Sequence, residues 1–145
     1  MNLSLVDAFG RFGAKPASRV QAFSAMAADG ALVLNCSGAY FGHPSQGVLR
    51  YEDRLSRGPR GPKDTGLLGQ HLAIARDGAL PVRMIVTSRT DEKGGTRTCH
   101  VRPDLIGIVV KFDGDHFIVD FKRREDVSRV AASRGRKQVA SPLRD

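Results

Sequence analysis

Tryptophan is absent from this 145-residue chain, and tyrosine and cysteine each occur only twice. Cys36 and Cys99 are too few for a secreted disulfide scaffold, so reduced thiols are expected. The spacings among Cys36, Cys99, His43, His71, His100 and His116 lack the paired pattern that structural zinc requires. No apolar stretch approaches the length needed to span a bilayer. The opening residues, MNLSLVDAFGRFG, lack the basic start and long apolar core of a secretory signal. Together these absences predict a cytoplasmic protein with no membrane contact. There is no internal repeat. What remains, 41% hydrophobic residues in short runs, is enough for one core without disulfide or metal.

Acids are also scarce. Asp and Glu number 15 against 23 Lys and Arg, giving a formal charge of +8. One cluster is Arg50, Arg54, Arg57, Arg60 and Lys63, opposed by Glu52 and Asp53. The other is the stretch 122–145, with eight basic and three acidic residues, including Arg123, Arg124, Arg134, Arg136 and Lys137. Guanidinium forks match phosphate oxygens, so DNA or RNA is the expected partner. The same patches suit an acidic protein surface, and charge alone does not separate the two. Tyr40-Phe41 and Tyr51 are the rings nearest to these basic residues. Rings so placed stack on bases in some proteins, but more often anchor a loop to the core.

Along the chain, Ser4 caps an expected helix to Phe12, ended by Gly13. Residues 20–36 read as a hairpin around Asp29-Gly30, whose two-residue loop would pair Phe23 with Cys36, Ala25 with Leu34 and Ala27 with Leu32. Residues 37–47 read as a Gly, Ser and Pro loop, and 48–52 as a short strand. A basic connection follows, then a helix from Asp64 or Thr65 to Arg76 with Leu67, Leu68, Leu72 and Ala75 on one stripe. Asp77-Gly78 closes that helix. Val82 to Thr87 is a buried strand, 89–99 a polar excursion, and 124–134 a charged helical segment.

Residues 105–122 form a second hairpin around Asp113-Gly114. Pro103-Asp104 followed by Asp120-Phe121-Lys122 on this hairpin resembles the PD-(D/E)xK motif of magnesium-dependent nucleases. The order helix, three strands, helix over residues 65–140 is similar to the core of that superfamily. The resemblance implies Asp104 and Asp120 as Mg²⁺ ligands and Lys122 as the residue that stabilises the charge built up in attack on the phosphodiester. Strand alternation bears on whether the three meet. A two-residue Asp113-Gly114 loop pairs Val110 with Phe117, Ile108 with Val119 and Ile106 with Phe121, one clean apolar face. Asp120 and Lys122 then share the other face with His116 and Ile118, while Asp104 falls out of phase. A three-residue loop brings Asp104 into phase but splits the apolar set. Hydrophobic pattern favours the first register, so an unassembled constellation is expected.

The chain therefore reads as α+β: a mostly antiparallel twisted sheet built from two Asp-Gly hairpins, with one or two helices packed on one face. Residues 1–122 form one domain and 123–145 a basic C-terminal segment. The expected function is nucleic-acid binding through the arginine clusters, without a cofactor. The rivals are the Mg²⁺-dependent nuclease and a basic adaptor or inhibitor docking an acidic protein.

Overall fold

A computed structural model describes residues 3–17, 22–57, 62–89 and 97–127. The elements are α1 (Leu5–Gly10), β1 (Ser24–Met26), β2 (Leu32–Ser37), β3 (Phe41–Ser45), β4 (Val48–Arg54), α2 (Pro62–Gly78), β5 (Val82–Arg89), β6 (Arg97–Phe112) and β7 (His116–Arg123). Residues 124–127 add a helical turn. The fold is α+β, with a seven-stranded sheet ordered β1-β2-β5-β6-β7-β4-β3. All neighbouring strands are antiparallel except β2 and β5. The long helix α2 is the connection that brings the chain back parallel, as such a crossover requires.

The two helices lie on opposite sides of the sheet. Leu68, Leu72 and Ala75 of α2 pack on Leu32, Leu34, Tyr51, Met84, Phe117, Val119 and Phe121. Ala8 and Phe9 of α1 pack instead on Ala25, Val33, Ile85 and Cys99. Leu32 and Leu34 against Val33, and Met84 against Ile85, follow the alternation of a strand buried on both faces. Ser4 caps α1, its Oγ accepting from the Asp7 N–H at 3.1 Å. The Ser24 hydroxyl and His71 Nδ1 meet at 2.7 Å and tie α2 to β1. Ala79, not Gly78, takes the left-handed conformation that closes α2, with φ at 50°. The Leu80 N–H then bonds the Ala75 carbonyl at 2.9 Å.

Both hairpins turn elsewhere than their Asp-Gly pairs suggest. In the first, Ala27 N–H bonds Ala31 O at 2.8 Å, leaving a three-residue loop, Ala28 to Gly30, with Gly30 at φ 91°. The partners are Ser24–Leu34, Ala25–Val33 and Met26–Leu32, one step from the expected register. Asp29 is spent on the loop itself, its carboxylate accepting from the Ala31 N–H at 3.0 Å. In the second, Asp113 precedes the loop and bonds back to His116, N–H to O, at 3.2 Å. Its carboxylate accepts from the N–H groups of Asp115 and His116 at 3.0 and 2.8 Å. Gly114, at φ 107°, occupies the first loop position in a positive-φ conformation that favours glycine.

The register of β6 on β7 is therefore not the one expected. Gly107 faces Phe121, Ile108 faces Asp120 and Val109 faces Val119, with a shift before Lys111–Ile118. Gly107 explains the choice. A Cβ there would lie 2.6 Å from the Phe121 ring, so the bare backbone gives that ring its place in the core. Leu105 and Val109 are buried, while Ile108 and Val110 are 44% and 49% exposed, the reverse of the clean apolar face expected.

Two other expectations are corrected. Residues 41–45, expected as loop, pair with β4, because Phe41 packs its ring 5.1 Å from Tyr51. β6 begins at Arg97, inside the expected polar excursion, since Thr98 to Arg102 pair with β5. Midway, β6 changes sides. Met84 pairs with Arg102 and Val82 with Gly107, so Arg83 alone spans four residues of β6. Cys99 belongs to the layer under α1, and Leu105 and Val109 to the layer under α2. Pro103-Asp104 sits in that bulge.

Candidate nucleic-acid interface

The bulge in β6 gathers cations. Arg83, opposite it on β5, donates from Nη2 to the Pro103 carbonyl at 3.0 Å and lies with its guanidinium carbon 4.7 Å from the Phe12 ring centre. Its Nε is buried without a hydrogen-bond partner among the described residues. Burial first, and then the neighbouring charge of Arg124, hold Arg83 below its ordinary pKa. Arg102 grips Asp104 with Nε and Nη2 at 3.0 and 2.9 Å. That bond chiefly, with a contribution from Arg123, keeps the Asp104 carboxyl below the usual range. Arg123 is 3.6 Å from Glu125 and largely exposed. Lys122 and Arg124 are exposed. Arg102 and Arg123 thus both bear on the Asp104 carboxylate.

The first arginine cluster is arranged differently. Arg50 donates from Nε and Nη2 to the Asp120 carboxylate at 2.8 and 2.9 Å. Arg54 reaches Asp115 at 3.3 Å. Arg57 holds both oxygens of Asp53 at 2.6 and 2.8 Å. Asp53 is buried and also accepts from the Tyr51 hydroxyl at 2.6 Å and the Arg54 N–H at 2.7 Å. Burial alone would raise its pKa. The bonds from Arg57, Tyr51 and Arg54 outweigh that and lower it. Arg50, Arg54 and Arg57 are thereby committed to acids of this chain. Arg60, Arg134, Arg136 and Lys137 lie outside the described residues, as does the side chain of Lys63.

The residues of the nuclease-like motif do not meet. Asp120 pairs across to Ile108, and Asp104 lies four residues further along β6. At the usual rise this is roughly 13 Å, whereas two carboxylates sharing Mg²⁺ sit with ligating oxygens about 4 Å apart. Each is also occupied, Asp104 by Arg102 and Asp120 by Arg50. As placed, the pair does not form a cradle for the metal. The separation arises from the bulge and the register, not from the phase argument, which assumed a register that β6 does not adopt. Lys122 faces Ile106 and is exposed.

Two of the gathered cations escaped the sequence reading. Arg83 interrupts the apolar run PVRMIVT, and Arg102 precedes Pro103-Asp104. A charged residue inside a buried strand was the available signal. No protein-family description matches this chain, and no curated protein matches it in sequence. No helix among the described residues is long and apolar enough to cross a membrane.

Proposed function

We propose that this protein binds nucleic acid through phosphate contacts. Arg83, Arg102, Lys122, Arg123 and Arg124 form the contact surface, and Arg134, Arg136 and Lys137 of the C-terminal segment add to it. One observation carries this reading: Lys122, Arg123 and Arg124 stand exposed in succession at the end of β7, beside the β6 bulge that holds Arg102 and is faced by Arg83. Phosphate oxygens along that exposed row would offset the like charges gathered there. The buried thiols of Cys36 and Cys99, not joined in a disulfide, favour a reducing compartment, the cytoplasm.

The test is retention of labelled DNA and RNA across a salt series, with and without Mg²⁺. Retention should weaken steeply, with a log–log slope of about −0.9 per phosphate contact on duplex DNA. Changing Lys122, Arg123 and Arg124 together to glutamate should abolish retention and leave the circular dichroism unchanged. Retention that survives this variant moves the interface elsewhere. Mg²⁺-dependent cleavage lost in Asp120→Asn would favour the nuclease instead. No retention by the wild type at low salt would favour a docking role. The exposed Ile108 and Val110, beside the Arg50–Asp120 pair, suit a protein partner.

A further inference from the structure

At the opposite end of β5 from Arg83, the parallel strands β2 and β5 finish side by side, with the Gly38 N–H bonded to the Thr87 carbonyl at 2.9 Å. A cavity of about 620 Å³ opens there, walled by Phe23, Asn35, Ser37, Gly38, Arg57 and Ser88, among others. That volume lies in the range of small-molecule sites. A Cβ at Gly38 would run into the Ser88 hydroxyl, which would have to turn away. The Asn35 and Thr87 side chains are bonded to each other and form a fixed polar wall.

Arg57 is the polar group best suited to hold a ligand here. Asp53 takes its Nε and one hydrogen of Nη2, and the Tyr40 ring lies 4.3 Å beneath its guanidinium carbon. This double clamp fixes the plane of the fork. Among the described residues it leaves the Nη1 hydrogens and the second Nη2 hydrogen for another acceptor, and the side chain is 30% exposed. An arginine backed by a buried carboxylate loses little further entropy when it binds, so its remaining donors are preorganised. The hydroxyls of Ser37 and Ser88 add donors from the floor, and Phe23 and Ala39 supply apolar wall.

We infer that this cavity binds a small organic oxyanion, a phosphomonoester or a carboxylate on a short apolar or planar body. The oxyanion meets the outer edge of Arg57 and the serine hydroxyls, and the body lies against Phe23. The site is independent of the phosphate-contacting cluster around the β6 bulge.

The experiment is titration of the ¹⁵N-labelled full chain with phenyl phosphate, benzoate and, as an uncharged control, benzyl alcohol. Amide shifts at Gly38 and Ser88 should saturate with one or both anions and not with the alcohol. Which anion binds more tightly distinguishes phosphate from carboxylate chemistry. Asp53→Asn combined with Arg57→Gln removes both charges while keeping a hydrogen-bonded pair, and affinity should fall at least tenfold. Ser88→Leu leaves the ion pair intact, replaces one wall hydroxyl by a bulkier apolar group and should also weaken binding at least tenfold, so the inference is tested even if the double variant does not fold. Absence of saturable shifts in the wild type, equal binding of benzyl alcohol, or unchanged affinity in Ser88→Leu would each overturn it.

Discussion

β7 sets the two sides of the sheet against each other within one strand. Phe117, Val119 and Phe121 point under α2 and are almost completely buried. His116, Ile118, Asp120 and Lys122 point to the side that α2 does not cover, where α1 reaches only β1, β2, β5 and the first half of β6. β4 repeats the contrast with carboxylates. Asp53 sits under α2, locked by Arg57 and the Tyr51 hydroxyl, while Glu52 on the other side meets His116 at 2.6 Å with half its side chain in solvent. The same chemistry, an acid with a basic partner, is structural on one side and a surface decoration on the other. Burial decides which, because a desolvated charge must keep its partner and a solvated one need not.

The strongest way to break this contrast is Val119→Asp. It places an unpaired charge in the core and should leave the domain unfolded, whereas Ile108→Asp on the open side should fold. Circular dichroism of the two variants distinguishes them, and a folded Val119→Asp would refute the assignment of faces. Next in size is Asp53→Ala, which strands the Arg57 guanidinium and the Tyr51 hydroxyl. It should lose about 2–4 kcal/mol in chemical denaturation.

The same residue makes the contrast visible in pH. The Asp53 pKa is lowered in the folded state, so its contribution is fully present above the unfolded carboxyl value, about 4. That contribution is lost as pH falls through the lower folded value. Stability of the wild type should therefore drop on acidification below about pH 4, with a shallower drop in Asp53→Asn. An identical acid profile for the two proteins would remove Asp53 from the account. Smaller again is Gly107→Ala, which presses a methyl group into the Phe121 ring and should cost about 1–3 kcal/mol. Smallest is Lys122→Ala on the open side, expected within about 0.5 kcal/mol of wild type. Its signature should be weaker nucleic-acid retention instead.

Much of this was legible in the sequence, and the gaps share one cause. Period-2 alternation marked Phe117, Val119 and Phe121 as inward, and the leucine stripe of α2 marked Leu68, Leu72 and Ala75. Those are local patterns. The turn positions were missed because an aspartate in an Asp-Gly pair can enter the loop, as Asp29 does, or stand before it and bond back, as Asp113 does. The first choice moves the register by one residue; the second moves it by two next to the turn, and the shift before Lys111 takes back one. β3 was missed because what extends it, the ladder to β4 and the Phe41 ring against Tyr51, comes from another strand. For the candidate site, the clustering of charge near residues 122–124 was visible in composition. Asp53, Asp115 and Asp120 each lie across a strand pair or a turn from the arginines they engage, so the neutralisation of Arg50, Arg54 and Arg57 was not. The Arg83–Arg124 encounter likewise exists only once β5, β6 and β7 are side by side.

The strand order also fixes when the protein can fold as it is made. β1 and β2 form one margin of the sheet, β3 and β4 the other, and the three strands that join them, β5 to β7, are the last to be synthesised. The β1-β2 hairpin can join α2 and β5 once the chain has emerged to about Arg89, but the β3-β4 hairpin pairs with β7 and must wait until about Arg123. Two-stranded hairpins alone are marginal in water, so the β3-β4 hairpin is the one left without a partner strand for longest. A ribosome-stalled chain ending before β7 should be protease-sensitive in residues 41–54, and one extended past Arg123 should become resistant there.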